Sequence, residues 1–137
     1  MSPTQKNHLV IALTQVTLIT CATPPSFANP TPVEVWRGGD DGLTARFADA
    51  LEATFRGAHE FLLSSGKAPG TLIVTIPTNL TWQQVGGRTV VNYVVEFSSG
   101  TSQLLGRSQG KCPEERLQEC AVHVLGDANT IKAKLGR

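Results

Sequence analysis

The sequence predicts an α+β domain, a four-stranded mixed sheet in the order β-α-β-β-β-α with two helices packed on one face. Three observations carry this. Residues 71–77, TLIVTIP, and 88–97, RTVVNYVVEF, alternate their side chains with the period of two that a pleated strand imposes. Residues 43–63 place Leu43, Phe47, Leu51, Phe55, Ala58 and Leu62 along one helical stripe, and the C-terminal segment does the same with Leu117, Ala121, Val124, Ala128, Ile131 and Leu135. One stripe per helix leaves one buried side each, which both satisfy most simply against the same face of the sheet.

The elements follow in order from an N-terminus that reads as an address. Residues 1–8, MSPTQKNH, carry Lys6 and no acid, and LVIALTQVTLIT is an apolar run too short to span a bilayer, as in a secretory signal. Ser26-Phe27-Ala28 sets small residues where a signal peptidase reads, just after helix-breaking Pro24 and Pro25. Cys21 is a competing lipid-attachment site, but Thr20 before it is bulkier than the usual small residue. Cleavage after Ala28 is therefore expected, giving a signal peptide over 1–28, a linker over 29–32 and a single α+β domain over 33–137. The product is periplasmic or secreted; the alternative is a lipid anchor through Cys21.

In VEVWR, Val33 and Val35 oppose Glu34 and Trp36, a strand with one buried face. GGDDG turns the chain, and Asp40 or Asp41 is placed to cap the helix over 43–63. Ser64-Ser65-Gly66 ends that helix, and KAPG leads to the second strand at 71–77. Residues 78–87, TNLTWQQVGG, read as a loop. In the third strand, Val91, Tyr93, Val95 and Phe97 oppose Val90, Asn92, Val94 and Glu96. A hairpin at SSGT then leads to a glycine-interrupted edge strand over 102–111. The last helix opens at Cys112-Pro113-Glu114-Glu115, with Gly126 the point at which a kink or early end is expected.

Composition narrows the function. Of 137 residues 40% are apolar and 17% charged, enough to fold as one domain without metal or dense disulfides. There are 12 basic and 11 acidic residues, and loss of 1–28 removes only Lys6, so no electrostatic case exists for nucleic acid or an anionic membrane. Arg37, Arg46, Arg56, Arg88 and Arg107 are scattered among acids.

The turn and helix opening GGDDGLTARFADALEATF and the strand TLIVTIP, in this element order, resemble small bacterial envelope modules: the TolB N-terminal domain, the CsgG-like lipoproteins and the LpoB-like activators. The resemblance implies a βαβββα domain that binds other envelope proteins, and it rests on element order rather than on a motif.

Few residues carry chemistry. In an oxidising compartment Cys112 and Cys120 are an even pair and a disulfide is the natural expectation. Eight helical rises would hold their Cα atoms roughly 12 Å apart, beyond the bridging limit of about 7 Å. The helix must therefore begin near Arg116, with CPEE folded back as a turn. Metal binding by Cys120, His123 and Cys112 is the alternative, although no further Cys–His pair completes a tetrahedron.

His59-Glu60 and Asp40-Asp41 could serve acid–base chemistry, but they lie at opposite ends of the expected helix, and no G-x-S-x-G or phosphate-loop motif accompanies them. Trp82, in a polar loop near Arg88, either anchors an interface or folds back over the core. Asn79-Leu80-Thr81 matches a glycosylation acceptor, and in a bacterial protein the match is chance.

With helices on one face only, Trp36, Ile73, Thr75, Val90, Asn92 and Val94 form an uncovered apolar face. The expectation is an exported, non-enzymatic interaction module without cofactor. Its partner, an envelope protein or a second copy, docks on that face or on Trp82 and Arg88. The alternatives are a small secreted enzyme inhibitor acting through the Trp82 loop and a hydrolase or metal-dependent enzyme using His59 or His123.

Overall fold

The computed structural model describes residues 29–65 and 69–135. The expected signal peptide and the Cys21 lipid site lie outside these residues. The domain is α+β, a mixed sheet with two helices, and the sheet has six strands rather than four. β1 (Thr31–Arg37) runs parallel to both of its neighbours, β2 (Phe61–Leu63) and β3 (Leu72–Ile76).

The spine is β5 (Arg88–Ser99), 12 residues long. Along one side it pairs antiparallel first with β4 (Thr81–Val85) and then with β3. Its other side pairs antiparallel with β6 (Leu104–Pro113), an edge strand as expected.

Both helices cover one face. α1 (Gly42–Arg56) buries Phe47, Leu51 and Phe55, and α2 (Leu117–Ile131) buries Ala121, Val124 and Ala128. These side chains meet Val33, Leu72, Val74, Val91, Tyr93, Val95 and Phe97 in one core. The odd residues of β5 therefore face the helices, and the even ones face outward.

Two corrections account for the extra strands. The apolar stripe of α1 does not continue to residue 63: Gly57 caps the helix, its N–H bonding back to the carbonyls of Ala53 and Phe55. Phe61 then starts β2, packs edge-on against Phe55 at 5.0 Å between ring centres and is buried, while Leu62 is exposed. His59 and Glu60 thus occupy a turn, not a helix.

The segment read as a loop over 78–87 is largely β4, joined to β5 by Gly86 and Gly87. Both glycines have positive φ, 58° and 77°, as a two-residue hairpin turn demands. Nor is 29–32 wholly a linker, since Thr31 and Pro32 already pair with Phe61 and Leu62. α2 passes through Gly126 without ending.

Local chemistry fixes the remaining joints. Asp41 is the N-cap of α1 and accepts from the Thr44 N–H at 2.8 Å; Thr44 Oγ1 in turn accepts from Leu80 N–H at 3.0 Å. Asn79 Oδ1 accepts from the Asp40 N–H at 2.9 Å, and a Cβ on Gly38 would overlap the Pro77 carbonyl. The turn before α1 is thereby held against the connection between β3 and β4.

β6 reads Gly106, Ser108, Gly110 and Cys112 on its helix-facing side, opposite Phe97, Val95, Tyr93 and Val91. Small residues at every second position let α2 lie close: a Cβ at Gly106 would stand 2.9 Å from Ile131 Cδ1. The glycines that weaken the strand signal are thus a packing requirement.

Candidate functional site

The outer face of the sheet holds five of the six expected contact residues, Trp36, Ile73, Val90, Val94 and Arg88, and the register separates Trp36 and Ile73 from the three on β5. Trp36 pairs with Thr75, Thr75 with Glu96, and Glu96 with Arg107, to which it is also ion-paired at 3.2 Å. That polar row lies between Trp36 with Ile73 at one end and Val94 with Val90 at the other, so Trp36 is not beside the valines as expected. Trp36 is 43% exposed and Val94 42%, whereas Ile73 is buried at 8% and Val90 is half-buried. Beside Trp36, Ile73, Thr75, Ser98, Ser99 and Ser102 line a shallow depression of about 180 Å³.

Trp82 belongs to the other side of the sheet. It faces Val91 across the β4–β5 pair, on the helix side, and remains 59% exposed rather than folding over the core. With Leu43, Gln84, Thr89 and Glu114 it lines a depression of about 280 Å³, where Gln84 Nε2 donates to Thr89 Oγ1 at 2.7 Å and Glu114 is ion-paired to Arg46 at 2.7 Å. Arg88, opposite Val85 beside the hairpin turn, points to the outer face and is not grouped with Trp82.

Cys112 and Cys120 are bridged, with Cα atoms 5.8 Å apart. The late helix start is as expected, with α2 beginning only at Leu117 after a single 3₁₀ turn, Glu114–Arg116, but Cys112 and Pro113 are not part of a turn: they end β6, paired with Val91 and Val90. With both thiols in the bridge, no three His, Cys, Asp or Glu side chains group as metal ligands among the described residues.

A polar cluster escaped sequence reasoning. Tyr93 Oη is bonded to His123 Nδ1 and lies 3.3 Å from Ser108 Oγ, which donates to Asp127 Oδ2 at 2.5 Å. When Nδ1 carries a hydrogen, the chain His123, Tyr93, Ser108, Asp127 is satisfied in one direction, each hydroxyl accepting once and donating once. His123 and Asp127 are one helical turn apart on α2 with Nδ1 and Oδ2 at 3.8 Å, the one local cue.

Burial of Tyr93 raises its phenol above the ordinary value of 10.0, and the nearby Asp127 carboxylate acts in the same direction. Ser108 and Tyr93 are 2% and 1% exposed, and Ser108 bonds the carboxylate while reaching the imidazole only through Tyr93. A nucleophile would need the opposite arrangement, an accessible hydroxyl bonded to the base. His59, in the turn before β2, and Asp41, at the start of α1, stand at opposite ends of that helix.

No family model matches this chain, and no curated protein sequence matches it. Among solved structures, the hypothetical protein CT253 from Chlamydia trachomatis is similar with a TM-score of 0.39 and 8% identity, over 63% of this chain and 73% of that one.

Proposed function

We propose that this chain is an exported, non-enzymatic protein-interaction module of a bacterial envelope, docking another protein on the outer face of its sheet. The observation that carries the reading is the one-sided cover of the sheet: both helices occupy one face, while Trp36 and Val94 stand over two-fifths exposed on the other. Tryptophan is among the residue types enriched at the energetic centres of interfaces. The polar row Thr75, Glu96 and Arg107 between the two groups supplies hydrogen-bonding groups of the kind a non-obligate interface mixes with its apolar contacts.

The Cys112–Cys120 bridge suits an oxidising compartment and supports export. Burial of Ser108 and Tyr93 supports a structural role for the polar cluster.

Affinity capture from bacterial envelope extract, read by mass spectrometry, tests the function: a discrete partner is expected, and recovery of nothing above background contradicts it. N-terminal sequencing of the secreted product tests export, with Asn29 the expected first residue and a diacylated Cys21 the contrary one.

A further inference from the structure

Among the described residues the sheet has three edges, and they are not equally protected. β2 is only three residues long. β6 presents Arg107 and Lys111 along its outer side, and Lys134 Nζ donates to the Leu105 carbonyl, so charge guards it. β4 reads Thr-Trp-Gln-Gln-Val: all five residues are exposed, none is charged, and Trp82 and Val85 are 59% and 52% accessible.

The backbone of β4 is poised as well. In a two-residue hairpin the closing pair, here Val85 with Arg88, is hydrogen-bonded, and bonded pairs then alternate. Val85, Gln83 and Thr81 therefore bond to β5, while the N–H and C=O of Trp82 and Gln84 point away from the sheet. None of these four groups has another backbone partner among the described residues.

We propose that this edge pairs with the same edge of a second copy of the chain, antiparallel about Gln83, making one continuous sheet through both molecules. The strand is self-complementary in that register. Only pairing centred on Gln83 brings all five residues opposite five, and it sets Trp82 opposite Gln84 of the second copy twice, so that all the outward groups bond.

On the outer side Thr81 meets Val85 and Gln83 meets Gln83, with no like charge brought together; the whole chain, with 12 basic and 11 acidic residues, adds no long-range repulsion. The interface is isologous, as a two-fold dimer requires. Five residues a side is small, so the dimer is reversible and concentration-dependent.

The test is sedimentation velocity on the purified protein across a wide concentration range, with Gln83→Lys and Gln83→Glu each alone and mixed in equal amounts. The wild type should shift from monomer to dimer, each variant should stay monomeric because like charges meet on the axis, and the mixture should recover the dimer as a heterodimer. A wild type that stays monomeric overturns the proposal. So do variants that dimerise like the wild type, or a mixture that does not recover.

Amide hydrogen exchange on the wild type gives a reading free of substitutions: exchange at Trp82 and Gln84 should slow as concentration rises, and unchanged exchange there overturns the pairing. Val94→Glu, on the outer face away from this edge, should dimerise as the wild type does. Loss of the dimer in that variant alone would place the contact on the face instead.

Discussion

Tyr93 lies directly across from Gly110 in the pairing of β5 with β6, so close that a Cβ at Gly110 would stand 3.0 Å from both its ring edge and its hydroxyl. The ring cannot retreat, because its hydroxyl is tied to His123 and its centre lies 5.5 Å from that of the tilted Phe47 ring. Gly110→Ala gains about 0.4–1 kcal/mol by restricting the unfolded chain and loses about 1–3 kcal/mol by overpacking. The net expectation is destabilisation by about 1 kcal/mol, read as a lower urea midpoint at unchanged slope. Gly106→Ala should cost less, since its obstacle is the mobile end of Ile131.

The same phenol sets an alkaline limit. Burial raises the folded pKa of Tyr93 above 10.0, so between the unfolded and folded values the native state keeps a proton that the unfolded chain has released. Stability is therefore fully present below pH 10 and falls as pH rises through the folded value. Tyr93→Phe should be less stable at neutral pH, having lost its bonds to His123 and Ser108, and should decline less steeply above pH 10 in a series of urea melts. Parallel decline in both proteins would assign the alkaline loss to other groups.

The cystine ties the end of β6 to the first turn of α2 across eight residues. The closed loop is short, so reduction is expected to lower stability by about 2 kcal/mol, the low end of the usual range. Thiol titration of the unfolded, unreduced secreted protein should find none free at Cys112 and Cys120. Two reactive thiols per chain would contradict the bridge.

What was legible in the sequence was whatever local spacing encodes. β3 and β5 alternate, both helices carry stripes, the Asp40-Asp41 pair marks the cap of α1 that Asp41 supplies, and the arithmetic of Cys112 and Cys120 places the start of α2. Two strands were hidden for opposite reasons. β2 was masked because Ala58 and Leu62 happen to continue the helical spacing past Gly57, where capping stops the helix.

β4 is hidden because an edge strand wet on both faces has no apolar alternation; its one cue is the Gly86–Gly87 pair, which makes a two-residue hairpin turn. The cluster of Tyr93, Ser108, His123 and Asp127 joins three elements, and only the one-turn spacing of His123 and Asp127 is local. Parity tells which residues of a strand share a face, but the division of the outer face by Thr75, Glu96 and Arg107 depends on register, which spacing within a strand does not encode.

The proposed docking of the partner on the outer face can be told from docking on the helix-covered one by adjacent residues of β5. Val94 points outward at 42% exposure, while Val95 is buried at 0% beneath the helices. Capture of the partner from envelope extract by Val94→Glu and Val95→Glu, each compared with wild type and paired with circular dichroism, is the most direct measurement. Docking on the outer face requires that Val94→Glu keep the wild-type fold and lose capture, while Val95→Glu unfolds. A folded Val94→Glu that captures its partner as well as the wild type would contradict it.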